Sequence, residues 1–230
     1  KIAIKNNLKL VSFGIKNRNS KIKFLFIKKE KNHFKLCIKI NKFKKYFLVS
    51  NNFQSNIYNI LAALAILSIY FDISKFNKNI FFKFKAPQGR GDISKIKIFK
   101  KKISLIDESY NSNPLSLKSA VLNYDKIRSK KFKKYLLLGD MLELGRHSKK
   151  LHESIAAIIN NTKIDKVYIK GHYMKYMFKK LLPSKKGRVL SNKSQIIEFI
   201  KNNLSNNDSL MVKASNATGF NKMIKEIKRK

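Results

Sequence analysis

Residues 105–114 contain the polar side chains whose types and spacing are most typical of a ligand-binding or catalytic loop. This segment reads Leu-Ile-Asp-Glu-Ser-Tyr-Asn-Ser-Asn-Pro, so an apolar segment ends in Asp107 and Glu108, and small polar residues follow. The apolar segment has the pattern of a buried strand, and Asn113 with Pro114 makes a good helix start. Loops at the carboxyl ends of strands in open α/β sheets collect ligands. The alternative is a solvated turn.

Polar residues also follow two other predicted strands. Asp140 comes after one, and residues 213–216 come at the end of the last. The carboxyl ends of parallel strands share one edge of a sheet, so all these groups can converge there. Carboxylates in such a place can hold ribose hydroxyls or Mg²⁺, whereas Arg90 and Lys213 can hold phosphate or carboxylate groups. The alternative is that they cap helices and one another.

Several other kinds of site are missing from the sequence. It contains no Gly-x-x-x-x-Gly-Lys-Ser/Thr phosphate loop and no serine or cysteine nucleophile constellation. His147 and His152 flank a predicted helix start and have no metal-ligand spacing with the single cysteine, Cys37. We therefore predict that both histidines are ordinary surface residues and that the chain forms no metal site. One cysteine also excludes an internal disulfide and fits a reducing compartment.

The net charge of +39, from 52 basic and 13 acidic residues, raises the possibility of nucleic-acid or anionic-membrane binding. The lysines, however, are spread along the whole chain. Arginine, which can bind phosphate or guanine through two hydrogen bonds at once, is scarce. Abundant Lys, Asn and Ile also fit a genome rich in A and T. We favour compositional drift over a dedicated nucleic-acid surface. No apolar run is long enough to span a bilayer.

The residue patterns divide the chain into two regions. Residues 21–27 and 33–40 largely alternate between apolar and polar side chains, as antiparallel strands do, and apolar residues at helical spacing follow over 57–67. A second, short helix is predicted over 74–82. The best boundary is 85–92, which holds one of the three prolines and two of the eight glycines.

Beyond the boundary, predicted strands alternate with predicted helices. The strands are 93–99, 103–106, 134–138, 165–169, 187–190 and 209–213, and the helices are 114–127, 148–161, 172–182, 193–204 and a last one that ends near residue 229. This alternation predicts an α/β fold with a mostly parallel sheet and helices on both faces.

Three motifs in order carry a resemblance to a known family. They are Leu105-Ile-Asp-Glu-Ser-Tyr-Asn-Ser-Asn-Pro114, Leu138-Gly-Asp-Met-Leu-Glu-Leu-Gly145 and Val212-Lys-Ala-Ser215. Together they resemble the C-terminal domain of the Mur ligases, in particular the members that use D-alanyl-D-alanine.

Two upstream segments extend the resemblance, which covers roughly residues 45–230. Asn56-Ile-Tyr-Asn-Ile-Leu-Ala-Ala63 resembles the helix that closes the family's central ATPase domain, and Gly89-Arg-Gly91 resembles its interdomain hinge. The resemblance implies a remnant of the central ATP-binding domain at 1–85, with antiparallel strands and helices. It implies a Rossmann-like C-terminal domain at 86–230.

The resemblance also implies an activity. Members of the family are ATP-dependent amide ligases of peptidoglycan synthesis, in which ATP phosphorylates a terminal carboxylate and an incoming amine attacks the acyl phosphate. The expected substrates are UDP-N-acetylmuramoyl-tripeptide and D-alanyl-D-alanine. The expected cofactors are ATP and Mg²⁺, with the metal ligands in an upstream part of a longer ligase. A cytoplasmic monomer without a specific nucleic-acid partner or a membrane span is expected.

Position by position, the resemblance implies a role for seven residues. It places Asn59 near the adenine, Arg90 at the terminal phosphate and Glu108 on the nucleotide side. Lys213 matches the lysine of the last strand and is assigned to catalysis together with Arg90. The loop that faces the incoming dipeptide is represented by Tyr110, Asn111 and Asn113.

The sequence departs from the family pattern in three places. Phe53-Gln54-Ser55 stands where Gly-Arg-His is usual, Ala214 stands where Gly is usual, and Asn216 stands where Arg is common. The phosphate loop is also absent, so the chain is not expected to catalyse ligation alone. We interpret it as a fragment of a longer ligase. The alternatives are a non-enzymatic, basic polyanion-binding protein and an inactive ligase remnant.

Overall fold

The structure of the protein is a computed structural model, which describes residue 6 and residues 10–17, 19–31, 33–50, 57–84, 89–127 and 132–228. The chain forms two units, Lys1–Ala86 and Pro87–Lys230. The segment Phe53-Gln54-Ser55 and the first part of the predicted boundary, 85–88, lie outside the described residues. No described helix is long and apolar enough to cross a bilayer.

In its described residues, the first unit contains a four-stranded sheet and one α-helix. Its elements are β1 (Phe13–Gly14), β2 (Ile22–Lys29), β3 (His33–Ile40), β4 (Phe43–Ser50) and α1 (Ile57–Tyr70). The strands lie in sequence order, with β1 parallel to β2 and the other pairs antiparallel. Alternate apolar residues of the sheet pack against one side of α1, and the buried residues include Leu36, Ile38, Phe47, Ile60 and Leu64. The predicted antiparallel strands and first helix are confirmed.

The predicted helix over 74–82 is wrong, because the structure has only a 3₁₀ turn at Ile73–Lys75. Asp72 Oδ1 accepts hydrogen bonds from both Ser74 N and Ser74 Oγ, and Asn77 Oδ1 accepts one from Asn79 N. Such side-chain bonds to nearby backbone compete with the helical hydrogen bonds. The chain therefore follows a series of turns that bury Phe81 in the core.

The second unit is built on a six-stranded sheet. The strands are β5 (Asp92–Ile98), β6 (Lys101–Glu108), β7 (Lys134–Gly139), β8 (Lys166–Lys170), β9 (Lys186–Val189) and β10 (Ser209–Lys213). The helices are α2 (Pro114–Asp125), α3 (Ser148–Asn160), α4 (Met174–Lys179), α5 (Lys193–Asn203) and α6 (Phe220–Ile227). The spatial strand order is β5-β6-β10-β7-β8-β9, and only the β5–β6 pair is antiparallel. The predicted α/β fold with a mostly parallel sheet is confirmed.

Helices cover both faces of this sheet because the central strands are apolar on both sides. Leu105, Leu137 and Val212 pack in one buried cluster, which also contains residues of α5 and α6. Their neighbours Ile106 and Leu138 belong to a second cluster, which contains residues of α2, α3 and α4. The position of β10 matters most for the site, since it inserts between β6 and β7. The loops that follow these three strands are therefore neighbours.

Gly139, at the end of β7, is needed because the sheet packs too closely there for a side chain. A Cβ at residue 139 would lie 2.6 Å from the Phe220 ring and 2.7 Å from Ala214 Cβ. We predict that Gly139→Ala lowers the free energy of unfolding by about 2 kcal/mol through overpacking. The double variant Gly139→Ala/Ala214→Gly should recover part of that loss. Thermal unfolding measures both; equal stability of the double and single variants would contradict the contact with Ala214.

Part of the large positive charge serves the fold. The buried Lys134 ammonium donates to Asp125 O at 2.7 Å and to Tyr124 O at 3.4 Å, at the carboxyl end of α2. Lys101 donates in the same way to Lys201 O and Leu204 O, at the end of α5. Cations are favourable at helix carboxyl ends because they satisfy free carbonyls and complement the helix dipole.

Candidate active site

The loop after β6 is held in place by Asp107, whose side chain is buried. Its Oδ1 accepts hydrogen bonds from Ser109 Oγ at 2.6 Å and from Ser109 N at 3.1 Å. Its Oδ2 lies 2.9 Å from the ammonium of Lys228. All these contacts are within the protein, so Asp107 positions the loop and leaves Glu108 as the acid that reaches outward.

Arg90 projects from a tight turn that lies against this loop. Tyr110 N donates to Gly89 O at 3.0 Å, and Gly91 N donates to Asp107 O at 2.9 Å. Gly89 has a φ of 81°, and a Cβ there would lie 2.9 Å from Tyr110 N, so no side chain fits. The exposed Arg90 guanidinium stacks on the Tyr110 ring, 4.3 Å from its centre. The turn therefore presents a cation whose orientation is fixed by an aromatic ring.

Lys213 and Glu108 form an ion pair beside this arginine. They are opposite each other in the β6–β10 register, and Lys213 Nζ lies 3.3 Å from Glu108 Oε2. The ammonium also donates to Asn111 O at 2.9 Å. Lys213 is 2% exposed and Glu108 27% exposed. Burial lowers the pKa of Lys213, Glu108 raises it, and the nearby Arg90 lowers it further.

The structure thus brings together five of the seven residues that the sequence singled out, namely Arg90, Glu108, Tyr110, Asn111 and Lys213. Asn113 lies at the end of the same loop. Its Oδ1 accepts a hydrogen bond from Ser116 N at 2.8 Å, and Ser116 Oγ accepts one from Asn113 N at 3.0 Å, which caps α2. Asn59 belongs to the first unit, where it lies on the exposed side of α1.

Asp140, at the end of β7, serves as a helix cap, which is the alternative we considered for it. Its Oδ2 accepts a hydrogen bond from His172 N at 2.8 Å, and its Oδ1 accepts one from Met174 N at 2.8 Å. These bonds satisfy backbone groups at the start of α4. With both oxygens so engaged, Asp140 contributes to the fold of the strand edge.

Ser215 was not predicted as a site residue, yet it links three loops. Its Oγ accepts a hydrogen bond from Leu142 N at 2.9 Å and donates one to Ser112 O at 3.0 Å. These residues belong to the loops after β10, β7 and β6, respectively. The sequence holds Ser215 within the motif of the last strand, but a hydroxyl that bridges two distant backbone segments has no signature of its own.

His152 is the clearest failure of the sequence prediction, because it is fully buried and not a surface residue. Its Nε2 accepts a hydrogen bond from Met141 N at 3.0 Å, so its Nδ1 donates to Ser148 O at 2.7 Å. Burial lowers the pKa of His152, against smaller raising effects of Ser148 and Asp140. A neutral histidine of fixed tautomer therefore anchors the start of the loop after β7.

This histidine predicts a pH dependence of stability. The unfolded chain binds a proton at His152 below a pH of about 6.5, whereas the folded chain resists it. The free energy of unfolding should therefore fall as the pH drops from 7.5 to 5.5, by at most about 1.4 kcal/mol per pH unit from this group. In His152→Gln this slope should become smaller. Urea unfolding at several pH values measures it; an unchanged slope would contradict the assignment.

A cavity of about 370 Å³ opens beside the loops that Ser215 links. Its walls are formed by Tyr110, Asn111, Leu142, Glu143, Ser215, Asn216 and Ala217. Tyr110 and Asn111 belong both to this cavity and to the charged cluster. The Tyr110 ring stacks on the Arg90 guanidinium, and the Asn111 carbonyl accepts a hydrogen bond from Lys213. The cation cluster and the cavity therefore share a wall, which suits a reaction that joins a phosphate-bearing group to a second, small substrate.

Comparison with models of known protein families shows which family this chain belongs to. The family described as Mur ligase, glutamate ligase domain, matches residues 94–216, which hold all three motifs from the loop after β6 to Ser215. The chain belongs to the Mur ligase family. The resemblance inferred from the sequence is confirmed, and a non-enzymatic, nucleic-acid-binding protein is not favoured.

The curated relatives of this Mur ligase chain include enzymes of one name. The chain is 31% identical over 128 residues to the UDP-N-acetylmuramoyl-tripeptide–D-alanyl-D-alanine ligase of Bacillus subtilis strain 168, an alignment that covers 54% of this chain and 28% of that one. It is 28% identical over 178 residues to the Rickettsia prowazekii strain Madrid E protein of the same name, with 76% and 37% covered. The alignments therefore cover about a third of the length of these relatives.

Solved structures agree on the fold. The chain superposes on a crystal structure of MurF from Acinetobacter baumannii with a TM-score of 0.72 at 17% identity, covering 98% of this chain and 48% of that one. The MurF ligase of Thermotoga maritima in complex with ADP gives a TM-score of 0.69 at 16% identity, with 98% and 50% covered. At such identities, the superpositions establish the Mur ligase fold and leave the roles of individual residues as predictions.

Proposed function

We propose that this chain is part of an ATP-dependent amide ligase that adds D-alanyl-D-alanine to UDP-N-acetylmuramoyl-tripeptide in peptidoglycan synthesis. One observation carries the proposal. Tyr110 and Asn111 line a small polar cavity and also contact the cations of the charged cluster that Arg90, Glu108 and Lys213 form. The names of the curated relatives supply the substrates. The activity belongs to a longer protein, and the chain alone is inactive in this proposal.

The residues on the cation side fit a nucleotide. ATP supplies phosphorylation of the tripeptide's terminal carboxylate, which turns a poor leaving group into a good one. Arg90, held flat on Tyr110, binds the terminal phosphate and offsets its negative charge. Lys213 keeps Glu108 in place and fixes the Asn111 carbonyl. In the proposed assignment Glu108 faces the nucleotide, and Asn59 of the first unit contacts the adenine.

Mg²⁺ accompanies ATP in the proposal, but no step through the metal is derived from this chain. In the described residues, no group of three or more His, Cys, Asp or Glu side chains is placed to hold a metal ion. We assign the metal ligands to an upstream part of the ligase.

The same family relationship suggests the domain assignment. We propose that residues 1–85 are the end of the central ATP-binding domain and that residues 86–230 are the C-terminal domain.

The loop after β6 and its cavity receive the second substrate in this proposal. Tyr110 and Asn111 line the cavity, and Asn113 closes the loop by capping α2. Holding an amine next to an activated carboxyl group contributes mainly by proximity and orientation, which can lower a barrier by several kcal/mol. In this proposal the enzyme acts in the cytoplasm, where ATP and UDP-linked precursors are available, and it acts as a monomer, as the family resemblance implies.

A chimeric ligase tests the proposed function. Residues 87–230 replace the matching part of the Bacillus subtilis relative, and the chimera is expressed in a strain depleted of its own D-alanyl-D-alanine-adding ligase. We expect the chimera to restore growth and its Arg90→Ala variant to fail. If a folded, abundant chimera does not restore growth, the proposed function is contradicted.

A further inference from the structure

The cavity beside the loop after β6 has an unusual charge for this protein. The chain has 52 basic residues, but neither lysine nor arginine is among the described residues that line this cavity. A second cavity, at the start of α6, has three lysines and one acid among its lining residues, namely Lys170, Lys193, Lys222 and Glu226, as the basic composition leads one to expect. Among the described residues that line the first cavity, Glu143 is the only charged one. An ammonium group in the first cavity would therefore meet a carboxylate on the described lining, whereas Arg90 and Lys213 contact the wall residues Tyr110 and Asn111 but do not line the cavity themselves.

Glu143 is also unusual among the acids of this chain. Of the acidic side chains that the structure describes, only Glu143 and Glu153 make neither a hydrogen bond nor an ion pair, while the others bind backbone, hydroxyl or cationic groups. Glu153 lies on α3 and lines no described cavity. Glu143 thus combines an unpaired carboxylate with a place in the cavity wall.

The backbone of Glu143 is held in an unfavourable conformation. Its φ is 63°, a region that side chains other than glycine seldom adopt. The two residues before it are fixed, since Met141 N donates to His152 Nε2 and Leu142 N donates to Ser215 Oγ. Strain of this kind persists where the surroundings impose it, and it is frequent at ligand sites. The loop therefore holds the backbone of Glu143 in place, with its exposed side chain at the rim of the cavity.

We infer that Glu143 binds the ammonium group of the incoming amine substrate and so selects substrates that carry a free amino group. This inference rests on the proposed function and adds the residue that recognises the nucleophile. A carboxylate opposite an ammonium gives a charge-assisted hydrogen bond, which is stronger than a bond between neutral groups. The shared wall places that amine beside the cations Arg90 and Lys213, where the activated carboxyl group is expected.

A nuclear magnetic resonance titration of the 230-residue chain tests the inference. The probes are D-alanyl-D-alanine, L-alanyl-L-alanine and N-acetyl-D-alanyl-D-alanine, which lacks the ammonium. We expect D-alanyl-D-alanine to shift the amide signals of Asn111, Leu142 and Ser215, and the acetylated probe to bind roughly tenfold more weakly. Glu143→Gln should bind D-alanyl-D-alanine roughly tenfold more weakly and lose the preference for the free amine. Glu153→Gln is the matched control and should behave as the parent chain.

The outcomes separate this inference from the proposed function. Equal affinity of Glu143→Gln and the parent chain for D-alanyl-D-alanine overturns the inference and leaves the proposed function standing. Equal affinity of the parent for the free and acetylated dipeptides, or no binding of any probe, overturns it as well. If the L-dipeptide binds as tightly as the D-dipeptide and Glu143→Gln loses both, the ammonium role holds and the proposed substrate is wrong.

Discussion

Replacement of Arg90 by alanine is expected to lower the turnover number of the chimeric ligase by at least about a hundredfold, the scale of losing one preorganised group that stabilises transition-state charge. The guanidinium is exposed on one side and stacked 4.3 Å from the centre of the Tyr110 ring on the other. It is thus oriented before any phosphate arrives. Arg90→Lys should recover little of the activity, because an ammonium neither stacks in this way nor binds two oxygens at once. The rate of ADP formation at saturating substrates measures the effect.

The matched control for Arg90 is Arg188 of the same unit. Arg188 is half exposed and pairs with Glu198 at 3.1 Å, on the strand β9 at the edge of the sheet. Arg188→Ala should leave the turnover number within about twofold of the parent chimera, because an exposed ion pair contributes little. A loss of similar size in both variants would show that the Arg90 effect is not specific to the site.

The substitution Glu108→Gln is expected to have the second large effect, a decrease in the free energy of unfolding. This substitution leaves the ammonium of Lys213, which is 2% exposed, without its counter-charge. Breaking a buried pair on one side is costly, so we expect the free energy of unfolding to fall by about 3 kcal/mol. The double variant Glu108→Gln/Lys213→Met should regain most of the loss, because it removes the stranded charge as well. Urea unfolding followed by circular dichroism measures both variants.

The exposed pair Arg188–Glu198 again provides the comparison. Glu198→Gln should change the free energy of unfolding by less than about 1 kcal/mol, as for other surface ion pairs. The account of Lys213 fails if Glu108→Gln is no more harmful than Glu198→Gln. It also fails if the double variant is no more stable than Glu108→Gln alone.

Much of the second unit could be predicted from local pattern. Apolar strands such as 209–213 and capped helices such as the one that begins at Pro114 each carry their own signal, and the structure has both. Short connections then imply a parallel sheet with helices on both faces. The insertion of β10 between β6 and β7, by contrast, depends on pairing between residues far apart in the sequence, since Ser209 lies opposite both Ser104 and Lys134. The antiparallel pairing of β5 with β6 is local, since only Phe99 and Lys100 separate the strands, but these two residues adopt a positive φ without the Asn-Gly pattern that usually marks such a hairpin turn.

The site could be predicted where its residues lie at strand ends or in motifs, and not where they depend on tertiary hydrogen bonds. Arg90, Glu108 and Lys213 were singled out by glycines, strand ends and the family resemblance, and the structure brings them together. His152 lies at helical spacing with the buried residues Ile155, Ala156 and Ile159 of α3, but its burial also needs Met141 N and Ser148 O to bond both ring nitrogens, and only the structure shows those partners. Glu143 belongs to the motif at residues 138–145, but its place in the wall of a cavity that no described lysine or arginine lines is visible only in three dimensions.

The most direct test of the central claim is to identify the product of the chimeric ligase by mass spectrometry. The purified chimera carrying residues 87–230 is incubated with ATP, Mg²⁺, UDP-N-acetylmuramoyl-tripeptide and D-alanyl-D-alanine. The account predicts the pentapeptide product and one ADP for each amide bond formed, and the loss of both in Arg90→Ala. A folded chimera that binds its substrates but forms no pentapeptide would contradict the assignment of these residues to the amide-forming site.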